Sequence, residues 1–186
     1  MRLIPFITMY VLGPSASASV VEYTDKTSWH SAVGTYSTID FTGHPNGMPI
    51  TTQYSESHGI TFAPGSQTHH SSSFTNDGQG LRGQPSSHFA FYTPMQWIAV
   101  EFTGNIVFDL YFKGELIYTS TERWAPINQV AFFGLISNTP FDEVHLYRAT
   151  FGGLVFYDDL YFGVPAPGAL GVFALAAFGC RRRRRS

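Results

Sequence analysis

The sequence predicts an all-β fold: an antiparallel β-sandwich of jelly-roll type, with one short N-terminal helix before it and a hydrophobic helix after it. Three observations predict this. Residues 96–119 hold a long run in which apolar and polar side chains alternate, the period of a strand with one buried face. The composition is 44% hydrophobic, 16% aromatic and only 13% charged, too apolar for disorder and suited to a pleated, half-buried surface. Eighteen Gly and 11 Pro cut the chain into short runs, as turns between strands require. At 186 residues, one domain with one core is expected.

The first element is helical. In TDKTSWHSAVG (residues 24–34) either Thr24 or Asp25 is placed to cap, and Trp29 and Val33 lie four apart on one face, which is expected to cover one end of the sandwich. TIDF (38–41) then opens the sheets with Ile39 and Phe41 on one face and Asp40 on the other, and HGITF (58–62) is a second short strand. Residues 63–83 are mostly Ser, His, Gly, Gln and Asn without apolar period, so a long loop with a turn at Asn76, Asp77 and Gly78 is predicted.

The strongest strand signal follows. Ile98, Val100 and Phe102 alternate with their neighbours, then Ile106, Phe108, Leu110 and Phe112 continue on one face. Val107, Asp109, Tyr111 and Lys113 take the other face. Lys113, Gly114 and Glu115 supply a turn, and residues 116–119 return as the hairpin partner. After a loop at 123–126 come strands at 129–136, 144–147 and 154–162, for a total of about eight to ten strands. In the last of these the even-numbered side chains form an apolar face that Asp158 interrupts, and a carboxylate aimed at a core must be paired, hydrogen-bonded or bound to a metal.

Charge excludes one class of partner. Arg2 and Arg181, Arg182, Arg183, Arg184 and Arg185 lie at the ends, so the body has five cations (Lys26, Arg82, Lys113, Arg123, Arg148) against all 13 acidic residues, a net of −8. Such a body repels phosphate backbones, and no nucleic acid is expected as a partner. The single cysteine, Cys180, lies in the C-terminal apolar run, leaving the body without disulfides or a thiolate nucleophile.

The two ends read as processing segments. MRLIPFITMYVLGPSASASV has one basic residue, an apolar run and then small residues, the plan of a secretory signal peptide spanning 1–18, with Ala16 and Ala18 where signal peptidase needs small side chains. Residues 164–186 (VPAPGALGVFALAAFGCRRRRRS) hold a Pro-x-Pro signature, a 13-residue apolar run at 168–180 and five arginines. A helix of that length rises about 20 Å against a hydrocarbon core of about 30 Å, so it suits only a transient membrane association, with the arginines held on the cytoplasmic face.

These features resemble the PEP-CTERM sorting signal, with Val164, Pro165 and Pro167 on its signature and Ala166 where that family usually has Glu. The resemblance implies processing by an exosortase-type enzyme and delivery to the cell envelope, outer surface or extracellular matrix of a Gram-negative-type bacterium. FFGLISNTPFDEVHLY (132–147) and FYDDLYFG (156–163) are similar to the closing strands of lectin-like, carbohydrate-binding-module-like sandwiches carried by such proteins, and TSWHSAVGTYSTIDFTG (27–43) to their opening segment. That likeness assigns 19–163 to the sandwich. It also suggests a structural Ca²⁺ held by Asp158 with Asp40 or Glu22, the alternative being an aspartate that bonds loop amides.

No G-x-S-x-G elbow, H-E-x-x-H, phosphate loop or metal-spaced cysteine is present, so no catalytic residue is nominated. His69 and His70 read as part of a solvated loop rather than as a transition-metal site. Flat rings on outer faces are the candidate sugar platform, Trp97 and Trp124 foremost. The expected function is a noncatalytic exported protein, with exopolysaccharide as its expected partner. A secreted glycan-acting hydrolase using an Asp/Glu pair, or a purely structural matrix protein, are the alternatives.

Overall fold

The computed structural model describes residues 19–71, 78–148 and 154–164. The predicted signal peptide, its cleavage residues Ala16 and Ala18, the turn residues Asn76 and Asp77, and the sorting signal beyond Val164 lie outside the described residues. The fold is all-β and antiparallel throughout, with two short helices. Ten strands form it: β1 (Val20–Tyr23), β2 (Ser37–Ile39), β3 (Ile60–Phe62), β4 (Ser66–His70), β5 (Gln79–Gly83), β6 (Ser86–Phe112), β7 (Glu115–Thr119), β8 (Arg123–Ala125), β9 (Ala131–Tyr147) and β10 (Val155–Gly163). Helix α1 is Lys26–Val33 and α2 is Ser55–His58.

Two long strands organise everything else. Residues 97–102 of β6 pair with 131–136 of β9, while residues 143–147 of β9 are held on one side by 86–90 and on the other by 107–111 of β6. One strand flanking the same partner twice obliges the sheet to double over, with register shifts between Ala90 and Trp97 and between Phe102 and Val107. The first arm carries β3 and β7 at its edges; the second runs β1, β9, β6, β10, then β5 and β4, with β2 also on β10.

Alternation sends one face of each arm into a shared core. Phe91 of the first arm meets Phe162 of the second with ring centroids 5.1 Å apart, and Phe108 meets Phe133 at 5.5 Å. The Ser87 hydroxyl, fully buried, joins the Ser66 hydroxyl and the Tyr157 hydroxyl at 2.6 Å each, a polar bridge between arms. All three groups are satisfied, as buried polar groups must be.

Helix α1 covers the other face of the second arm. Asp25, extended at φ −112°, accepts the Ser28 N–H at 2.7 Å, and Gly34 at φ 75° ends the helix. Trp29 and Val33 face down onto Trp97, Ala99 and Tyr161. Trp29 is wholly buried because Gly134 lies beneath it: a Cβ there would sit 2.6 Å from Trp29 Cδ1.

Several expectations are corrected. Residues 66–70 and 79–83 are strands rather than loop, for Thr68 and Leu81 face the core while their polar neighbours face out. Residues 123–125 pair with β6 instead of looping, and β1 and the first ten residues of β6 went unpredicted. Residues 137–143, left between two expected strands, stay inside β9. The even-numbered face of β10 does not exist, because a bulge with Asp159 at φ 42° shifts the period. Val155 and Tyr157 point inward before it, Leu160 and Phe162 after it, which leaves Asp158 on the α1 side rather than in the core.

Replacing Gly134 by alanine is expected to lift α1 from the sheet and destabilise the protein by about 1–3 kcal/mol, the usual cost of overpacking. Denaturant unfolding followed by tryptophan fluorescence checks this; an unchanged midpoint would show that Trp29 is free to move.

Candidate functional site

Three acidic groups and a lysine gather under α1 and its neighbours, and a fourth acid stands apart. Glu101 and Asp158 are direct cross-strand partners, 5% and 1% exposed. Lys26 of α1 pairs with Glu101, and its ammonium lies 5.0 Å from the Tyr161 ring centre. The Tyr161 hydroxyl is shared between Glu101 at 3.2 Å and Asp159 at 3.0 Å, while the Asp159 N–H donates to Asp158 at 2.8 Å. Burial, then the charges of Asp159 and Glu101, hold the Tyr161 phenol far above its ordinary range. This knot fastens α1 to the bulge and is closed to a large ligand.

Glu22, the fourth, works elsewhere. Its two oxygens take the Tyr118 hydroxyl at 2.8 Å, the Thr121 N–H at 2.7 Å, the Thr121 hydroxyl at 2.5 Å and Arg123 Nη2 at 2.7 Å. Burial alone raises its carboxyl, but these hydrogen bonds outweigh it and hold Glu22 below the usual 4.5. Asp40 is exposed and accepts from its own turn, Thr42 N–H at 3.1 Å and Thr42 hydroxyl at 3.0 Å. Asp158, expected to hold calcium with Asp40 or Glu22, thus accepts from different donors than either of them. No group of three or more His, Cys, Asp and Glu able to hold a metal occurs among the described residues.

The two tryptophans proposed as sugar platforms part company. Trp97 is 5% exposed, sealed between Gly163 and the helix, so it cannot stack on a sugar. Trp124 is 69% exposed. It stands on β8 opposite Asn105, with Arg123 before it tied to Glu22 and stacked 5.1 Å over Phe133, and with Ala125 after it buried. The ring is free while its mount is fixed.

Beside Trp124 runs a groove of about 330 Å³ lined by Thr103, Gly104, Asn105, Ile127, Arg148, Leu154 and Phe156. Gly104 at φ 78° turns β6 there and leaves that stretch bare of side chain. The Thr103 hydroxyl donates to the Pro126 carbonyl at 3.0 Å and the Gln129 N–H to the same oxygen at 2.9 Å, so Ile127, 62% exposed, is carried on a tied turn. Asn105 Nδ2 donates to Glu122 at 2.6 Å. Apolar rings with a few fixed polar groups are what small-ligand sites offer. Of these residues the sequence pointed only to Trp124; the rest come from β6, the turn at Ile127, the residue after β9 and the start of β10, which no local pattern joins.

A third cluster lies on the outer face of the first arm. His88 and His145 are cross-strand partners whose rings stack 3.7 Å apart and 5° from parallel, with Tyr111 4.4 Å beyond His145. Glu143 bonds His145 Nε2 at 2.7 Å and Ser86 bonds His88 Nε2 at 2.8 Å. Near-parallel rings aim their nitrogens side by side rather than at one point, so the pair suits a stack better than a metal. Burial, then the neighbouring His145, pushes the His88 ring below its ordinary value, against the pull of Glu143. The period of SHFAF carried the signal for His88, with Phe89 and Phe91 pointing in.

Compared with protein families, with curated proteins and with solved structures, the chain matches none.

Three histidines predict the acid behaviour. His88 is lowered as described; His30 is lowered by burial and then Lys26, His69 by burial and then Arg82. The unfolded chain takes up these protons near pH 6.5 and the folded one only at lower pH, so stability is full above 6.5 and falls as pH drops through that value. Glu22 adds a further loss only below 4.5. Denaturant midpoints measured from about pH 7.5 to 5.5 are expected to decline, and less steeply in His88→Gln; a midpoint that rises on acidification contradicts the assignment.

Proposed function

We propose that this chain is an exported, noncatalytic protein of the cell envelope or extracellular matrix that binds polysaccharide in the Trp124 groove. Its doubled sheet is, in this reading, a lectin-like β-sandwich of jelly-roll type. Residues 1–18 are removed by signal peptidase, and residues 164–186 direct a transient membrane association and handling by an exosortase-type enzyme. Val164, exposed directly after β10, favours that last step, since the first residue of the signature is then at the surface.

The observation that carries the binding reading is the exposed Trp124 ring on a rigid mount beside an apolar groove. Sugars present flat C–H faces that stack on such rings, and a ring fixed in advance costs little entropy on binding. A hydrolase is disfavoured on two grounds. The groove's described lining contains no carboxylate, and the cross-strand pair Glu101 and Asp158 is buried; glycoside hydrolysis needs two carboxyl groups facing the substrate.

On a glycan array the protein is expected to bind, and Trp124→Ala is expected to lose binding while keeping its melting temperature. Trp97→Ala serves as the contrast, expected to cost about 3–5 kcal/mol of stability through the cavity it leaves. A flat array with the unaltered protein would favour a purely structural matrix role instead.

A further inference from the structure

We infer that the Trp124 groove selects acidic polysaccharide, with uronic-acid carboxylates recognised by Arg148 and Arg82. This rests on the polysaccharide reading above and adds to it the charge of the ligand. The starting point is where the body's five cations go. Lys26 is paired with Glu101 and Arg123 with Glu22. Three remain, of which Lys113, 5.1 Å over the Phe112 ring, stands apart at the turn between β6 and β7. Among the described residues neither Arg82 nor Arg148 has a carboxylate partner within ion-pair distance.

Arg148 lines the groove, and Arg82 stands across the strands from one of its lining residues, Phe156. Phe156 of β10 has Thr103 as its partner on one side and Arg82 on the other, so the three side chains share one face of the sheet. Arg148 is exposed and lines the groove together with Phe156 and Trp124. Arg82 rests against the Gln67 amide, its own cross-strand neighbour, which steadies the guanidinium without neutralising it. Beside the groove Glu122 accepts a hydrogen bond from Asn105, and the cross-strand pair Glu101 and Asp158, two residues along from Thr103 and Phe156, is buried.

In a body of net charge −8, leaving two arginines uncompensated beside the one tryptophan platform is a specific arrangement. General electrostatics would push an anion away from this protein, so an anionic ligand needs a local cationic site. The guanidinium fork supplies it, because it matches a carboxylate with two parallel N–H donors. A sugar that also bears a carboxylate at ring spacing uses the aromatic platform and the arginine together. A neutral sugar uses only the first.

The test is calorimetric titration of the full chain with tetragalacturonate and with a neutral glucan tetramer. The uronide is expected to bind about tenfold more tightly, the worth of one charge-assisted hydrogen-bonding group, and to lose that margin in about 0.5 M salt. Arg148→Gln is expected to bring the uronide down to the affinity of the neutral tetramer while leaving the latter unchanged; Arg82→Gln gives a smaller loss of the same kind. Equal binding of both tetramers by the unaltered protein, with Arg148→Gln without effect, overturns the charge selectivity and leaves the polysaccharide reading standing. Failure of both tetramers to bind overturns the polysaccharide reading itself. Polyglutamate bound as tightly as the uronide would show recognition of charge alone and overturn the sugar class.

Discussion

The structure depends on one pairing. Residues 143–147 of β9 are hydrogen-bonded on both sides by stretches of β6, and no flat sheet can satisfy that constraint. The turn of β6 between 102 and 107 is therefore obligatory, and it places Gly104 and Asn105 at a corner of the fold. There β8 adds its three residues against 104–106, and with them Trp124. The candidate site is a by-product of the same doubling that makes the core. Its rigidity comes from Glu22, which draws Tyr118, Thr121 and Arg123 to one carboxylate and so ties the segment between β7 and β8 back to β1.

Polar groups in this protein are divided between two jobs. Glu22, the Glu101 knot and the Ser66, Ser87 and Tyr157 bridge are hydrogen-bonded within the fold, so they fix geometry rather than meet ligands. Each costs desolvation and returns it as a unique arrangement, and each joins elements far apart in the chain. The outward polar groups are different. Arg148 is exposed beside the groove and Trp124 projects into solvent from β8, whose neighbours Arg123 and Pro126 are held by hydrogen bonds to Glu22 and from Thr103.

The sequence made some of this legible and hid the rest for physical reasons. The all-β class, α1 with Asp25 as cap, the core faces of Ile98, Val100 and Phe102, and the hairpin at Lys113 and Gly114 all follow from local periods and turn chemistry. Positive φ at both Lys113 and Gly114 is the geometry such a two-residue turn needs. The strands at 66–70 and 79–83 escaped because Ser, Thr and Gly fill inward positions there, where the Ser66 hydroxyl has Ser87 as its partner. Asp158 was misplaced because one left-handed residue, Asp159, reverses the alternation on which its assignment relied. Trp97 opens the strongest strand run and Trp124 sits in what reads as a loop, but neither context tells which ring is covered: tertiary packing sets one under a helix and the other in water.

In the proposed reading the sugar binds at Trp124. The most direct measurement follows the three tryptophan indole N–H resonances in a nitrogen-edited NMR titration with an oligosaccharide that binds. The indole of Trp124 is predicted to shift together with the backbone amides of Gly104, Asn105 and Ile127, while those of Trp29 and Trp97 stay in place beneath α1. Shifts centred on His88, His145 and Tyr111 with Trp124 unmoved would contradict the account and move the site to the opposite arm.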